Sequence, residues 1–169
     1  MDFLVYLAPS LLVFGMAYFL VKKFLDTDRN IRYAELKRAM QKDLLPIRLQ
    51  AYERIVLYME RISPNNLLIR VYQPGMNVAD FHKELLLAIR SEYEHNLTQQ
   101  VYVTNQSWEV VRGCRDEVVK VINTAYAGCN ALDPGAELSK KVFENLMAKE
   151  EHPVHKAIDL IKNEAHALF

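Results

Sequence analysis

The chain has 169 residues, 51% of them hydrophobic and 25% charged, with 21 basic and 21 acidic side chains. The length predicts one main domain, and the even charge excludes the basic footprint of a duplex-binding protein, so no nucleic-acid partner is expected. Two cysteines cannot make a disulfide scaffold or a four-thiolate zinc site, and no phosphate-binding loop, dinucleotide fingerprint, nucleophile elbow or HExxH motif is present, so no cofactor is expected.

Phe3 to Val21 run without a charge. As a helix they would rise roughly 28 Å, close to the roughly 30 Å hydrocarbon core. Tyr6 and Tyr18 lie near the two ends, where amphipathic rings favour the interface. Met1-Asp2 supplies no basic region and no small-x-small cleavage site follows, which argues against a signal peptide. This pattern predicts an N-terminal transmembrane anchor over 1–23. Lys22 and Lys23 would flank the span on its inner side, leaving the N-terminus outside and the rest in the cytoplasm. The lipid bilayer is then the first expected partner.

The next stripe is Tyr33, Leu36, Met40, Leu44, Ile47, Ala51, Ile55, Tyr58 and Ile62, with helical steps of three and four. Pro46 interrupts it, so the spacing predicts either two helices, over 29–44 and 46–62, or one kinked rod. Residues 24–62 form the juxtamembrane part in this scheme and 63–169 a helical domain, with 24–169 one folded unit. Ser63-Pro64 starts a short helix to about Val71, and Gln73-Pro74-Gly75 is a turn. Asn77 caps a helix whose inward stripe is Val78, Phe81, Leu85, Ala88, Ile89 and Tyr93, with Asn96 at its end. Gln100 to Val103 reads as extended. A helix from about Asn105 to Ala127 faces inward with Trp108, Val111, Cys114, Val118, Ile122 and Ala125, and Gly128 ends it. Asp133-Pro134 starts a fifth helix and Pro153 a sixth. The expected fold is all-α: one transmembrane helix and a cytoplasmic bundle of about six helices.

Continuing the Val78–Ala88 stripe by steps of four and three lands on Glu92 and His95, so two polar groups face the interior or its rim, where they need partners. Glu-x-x-His is also half of a di-iron motif, but no second copy exists. His155, Asp159 and His166 form a second candidate metal set on the exposed side of the last helix. Cys114 lies on an apolar face, where a thiol behaves as a small hydrophobe. Trp108, the one Trp, is either a core anchor or, if exposed, a contact residue.

Three stretches, ERISPNNLL (Glu60–Leu68), YQPGM (Tyr72–Met76) and EYEHNLTQQVYV (Glu92–Val103), resemble an uncharacterised bacterial family of small single-span proteins with a helical cytoplasmic domain. The resemblance covers roughly the middle half of the chain. It implies the bacterial inner membrane and carries no functional residue. Together these readings predict a membrane-anchored interaction or scaffold protein, more in keeping with a binding role than with an enzyme. Its partner is an unknown protein or a second copy, and Glu92, His95 and Trp108 lie in the contact patch. The alternative is a metal-binding protein or enzyme using Glu92 and His95, or His155, Asp159 and His166.

Overall fold

The computed structural model describes residues 2–148 and 152–168, with side-chain surroundings from Leu11 onward. Its helices are α1 (Asp2–Ile62), α2 (Pro64–Val71), α3 (Val78–Asn96), α4 (Asn105–Ala127), α5 (Gly135–Met147) and α6 (Pro153–His166). A 3₁₀ segment, Leu97–Val101, follows α3. Among the described residues there is no strand, only an isolated bridge between Asn77 and Pro134. The chain divides into two compact units, Met1–Leu45 and Pro46–Phe169.

The first unit is helix alone. Its apolar side chains from Leu11 to Leu44 are exposed, 50–74% for the large ones. The expected transmembrane anchor is corrected here: among the described residues no helix is long and apolar enough to cross a membrane. Residues 3–10 of the proposed span lie outside the residues whose side chains are described. From Leu11 the apolar run lasts eleven residues to Val21, about 16 Å of rise, before Lys22, Lys23, Asp26 and Asp28 follow. Nor does α1 end near residue 23, as a separate anchor would; it runs unbroken into charged sequence as far as Ile62. Lys22 and Lys23 are exposed positions within this helix. The single-pass topology and inner-membrane location rested on that span and fall with it.

Pro46 sits inside α1 without ending it. Proline has no N–H to donate to the Lys42 carbonyl. The boundary between the two units falls at this missing bond.

The second unit is a bundle with one apolar core. Ile55, Tyr58, Met59 and Ile62 of α1 bury fully beside Leu67 of α2 and Phe81, Leu85 and Ile89 of α3. Trp108, Val111, Cys114, Val118, Ile122 and Ala125 all bury, as the α4 stripe predicted. Leu138 and Val142 close the core from α5, and Val154, Ile158 and Ile161 from α6. Helix α4 packs against α3, α5 and α6.

Local chemistry sets most ends. The Asn77 side chain accepts the Asp80 N–H at 2.8 Å, and Thr104 accepts the Ser107 N–H at 3.2 Å, each satisfying an otherwise unpaired first-turn donor. Gly75 has φ +92°, the left-handed value that the Pro74-Gly75 turn requires. The segment expected to be extended at Gln100–Val103 is instead 3₁₀ at Gln100 and Val101, a turn at Tyr102 and a bend at Val103, because the chain keeps right-handed dihedrals past Asn96 and Tyr102 N–H bonds Gln99 O at 3.0 Å. Thr104, the N-cap of α4, is extended (φ −73°, ψ 157°). Valine's strand preference loses there to burial of Gln99 and to Arg48 Nε, which donates to the Tyr102 carbonyl at 3.1 Å.

Candidate binding trough

Two cavities lie along α1 in the second unit. The larger, about 540 Å³, is lined by Arg54, Leu57, Tyr58 and Arg61 of α1 and by Ser91, Glu92, His95 and Asn96 of α3. The second, about 340 Å³, is lined by Ile47, Gln50, Ala51 and Arg54 and by Thr98, Gln99, Val101 and Tyr102. Arg54 lines both, so the two cavities adjoin at this residue and together follow α1 from Ile47 to Arg61 as a trough. Its length is roughly 21 Å at about 1.5 Å per residue.

The trough exists because α3 turns its polar end toward α1. Glu92 falls on the helical step that continues the buried stripe, and its side chain is only 14% exposed. Two guanidinium groups meet it: Arg61 of α1, with Nε at 2.8 Å and an Nη at 2.6 Å, and Arg70 of α2, with Nη1 at 3.0 Å. Arg70 also donates to the Arg61 carbonyl at 3.1 Å. Burial by itself raises the Glu92 carboxyl, but the two arginines outweigh it and hold the group below its ordinary value. Glu92 therefore stays ionised and binds α1, α2 and α3 together. Below it the Asn96 side chain donates to the Glu92 carbonyl at 2.8 Å.

Glu92 and His95 both line the cavity, but they do different work. Glu92 is consumed by its arginines, whereas His95 is exposed on the opposite wall from Arg54 and Arg61. Trp108 does not line the trough. It is buried, 8% exposed, and stacks on Tyr93 with ring centroids 5.8 Å apart. Arg115 covers the Tyr93 ring at 4.2 Å, a cation–π contact. Trp108 is thus a core anchor behind the site, the first of its two sequence alternatives.

Arg54, which the sequence reading passed over, is the residue common to both halves of the trough. It is exposed and makes no ion pair among the described residues. The signal available was its seven-residue spacing from Arg61, which puts both on nearly one face of α1. Arg61 is held by Glu92, so Arg54 is the cation of the trough that no carboxylate among the described residues pairs.

The other candidates do not converge on a site. His155, Asp159 and His166 are all exposed on α6, and among the described residues no three His, Cys, Asp or Glu side chains are placed to hold a metal ion. His155 instead stacks on His152, with centroids 4.5 Å apart. Burial pushes the Cys114 thiol up to about 12, which removes the thiolate that nucleophilic chemistry requires.

A second polar cluster was not anticipated. Glu164 of α6 accepts hydrogen bonds from Tyr52 Oη, from Ser107 Oγ and from Thr104, through Oγ1 at 2.9 Å and N–H at 3.3 Å. It sits at the N-terminus of α4, where free N–H groups and the helix dipole favour a carboxylate. All of its partners belong to the fold, so the cluster joins α1, α4 and α6 rather than presenting a free group.

No curated protein and no solved structure matches the chain. A family model does, over residues 1–168, and its description is "Family of unknown function (DUF7935)". The match bears out an uncharacterised family and says nothing of bacterial origin or of a single membrane span. Since it covers all but the last residue, the chain belongs to this family of unknown function.

Proposed function

We propose that this protein is a helical interaction module, and that the trough along α1 takes an acidic segment of a partner protein. The observation that carries the proposal is Arg54, an exposed cation without an ion pair among the described residues, shared by two adjoining cavities. Three properties favour a chain segment over a compact small molecule. The trough is open and elongated. Its lining alternates apolar Ile47, Leu57 and Val101 with polar groups, and Leu57 and Val101 are 54% and 75% exposed. Its unpaired charge, on Arg54, is basic, which steers acidic partners and favours them once docked. Arginine is also among the residues enriched at energetic centres of interfaces.

The experiment uses the full chain and a fluorescent twelve-residue peptide of Glu and Leu, with a Lys-and-Leu peptide as the opposite charge. Anisotropy should show that the acidic peptide binds and the basic one does not, with affinity falling as salt rises. Arg54→Glu should weaken binding at least tenfold, about 1.4 kcal/mol. Lys140→Glu, the same charge change at an exposed position of α5, should leave it unchanged. Absence of acidic-peptide binding, or an Arg54→Glu variant that binds like the parent, overturns the proposal.

A further inference from the structure

We infer that the exposed stripe of the first unit, Leu25, Tyr33, Leu36, Met40 and Leu44, is a self-association face whose occupant is the same stripe of a second copy. This inference does not rest on the occupant proposed for the trough.

The first argument is solvation. These five side chains are 58%, 74%, 65%, 65% and 50% exposed. They follow one another at steps of three and four, apart from the Leu25–Tyr33 gap, where Arg29 takes the intervening position. A scattered apolar residue on a surface needs no explanation, but a continuous stripe along a helix marks an interface. The same helix buries its later stripe residues, Ala51, Ile55, Tyr58 and Ile62, against other elements. In the first unit, which is only helix, the described residues supply no such cover.

The second argument is periodicity. Leu25 and Leu36 are eleven residues apart, as are Tyr33 and Leu44. An eleven-residue repeat takes about 3.67 residues per turn and keeps one apolar seam along a helix with a slight right-handed drift. The surface that best complements such a seam over its full length has the same repeat, and a second copy provides it.

The third is size and charge. A side chain this exposed buries on the order of 100 Å², so two five-residue stripes bury about 1,000 Å², the threshold for a specific interface. Between residues 24 and 45 there are five basic side chains (Arg29, Arg32, Lys37, Arg38, Lys42) and four acidic ones (Asp26, Asp28, Glu35, Asp43). This near balance lets two copies approach without a large repulsion. A marginal area implies a reversible pair, populated at micromolar rather than nanomolar concentration.

The test is sedimentation velocity of the full chain in a mild non-ionic detergent from about 1 to 100 µM, roughly the range such an area implies. The expected result is a monomer–dimer equilibrium that Leu36→Glu combined with Met40→Glu shifts at least tenfold toward monomer. Ile69→Glu, at a still more exposed apolar position on α2, should leave it unchanged. Leu36→Cys in a Cys129→Ser background should give a disulfide-linked dimer on mild oxidation. A chain that stays monomeric throughout overturns the inference, as does a dimer that is indifferent to the double substitution and not captured by the introduced thiol. Peptide binding by the trough serves as the independent readout: it should persist in the double variant, so loss of self-association and loss of the Arg54 site are separable.

Discussion

Glu164 concentrates more hydrogen bonds than any other side chain described above. Burial raises its carboxyl, but Ser107, Tyr52 and Thr104 together overcome this and hold it below its ordinary value. The counterpart is Tyr52, whose phenol is pushed up to about 12, first by burial and then by the carboxylate it donates to. Removing the acceptor leaves these part-buried donors unpaired. Glu164→Ala should therefore cost about 2–3 kcal/mol, more than the about 1 kcal/mol of an ordinary lost hydrogen bond. A urea titration followed by circular dichroism checks this, and Glu164→Gln, which keeps an acceptor, should lose less. Tyr58 is the opposite case. Its buried hydroxyl has no partner among the described residues, and burial raises its phenol above the usual range. The unionised phenol belongs to the core.

At the scale of elements, the α5 N-terminus shows how a loop fixes helix placement. Gly135 N–H donates to Met76 O at 2.9 Å, Val78 N–H to Asp133 O at 2.9 Å and Ala79 N–H to Ala131 O at 3.1 Å. These bonds clamp the start of α5 onto the start of α3. A Cβ at Gly135 would lie 3.1 Å from Met76 O and 3.3 Å from both Phe81 Cβ and Tyr72 Cε2. The nearest atom is backbone and cannot swing aside. Gly135→Ala should thus destabilise by about 1–3 kcal/mol, an overpacking cost. Thermal melts should show it as a lower Tm, whereas alanine at Gly113, where a Cβ meets nothing within 4 Å, should be neutral or stabilising. Helix α1 shows a different element-level effect: Pro46 removes a bond without ending the helix, and the division between compact units falls beside it.

At the scale of the whole molecule, three folded-state pKa values move the same way. Glu92 and Glu164 are lowered by their partners despite burial. His152 is lowered first by burial and then by His155, with Glu60 opposing, and its ring nitrogens have no partner among the described residues. In each case the folded protein binds protons less readily than the unfolded chain, so stability rises with pH across the affected window. The His152 contribution is complete above the ordinary histidine value of 6.5 and declines as pH falls below it. The carboxylate contributions hold until about the ordinary value of 4.5 and are lost as pH falls through the lower folded values. The urea midpoint should fall in two stages between about pH 7 and 3. Substituting His152→Phe should remove the upper stage, and Glu92→Gln with Glu164→Gln should flatten the lower one. A midpoint independent of pH over this range would contradict both assignments.

The bounds of α3 and α4, the starts of α5 and α6, the Asn77 cap and the inward stripe of α4 were legible in the linear chain, because they follow from the 3.6-residue period and from unpaired first-turn N–H groups, both local properties. Glu92 was legible as a polar residue on a buried stripe. That Arg61 and Arg70 meet it, that Arg54 joins two cavities, and that Glu164 collects Tyr52, Thr104 and Ser107 were not, because the bonded partners lie 22 to 112 residues apart along the chain and only packing brings them together. The same limit explains the anchor that the apolar N-terminus suggested. Hydropathy reports what a segment can dissolve in, whereas the length and continuity of the helix that carries it, and what covers its exposed stripe, are decided in three dimensions.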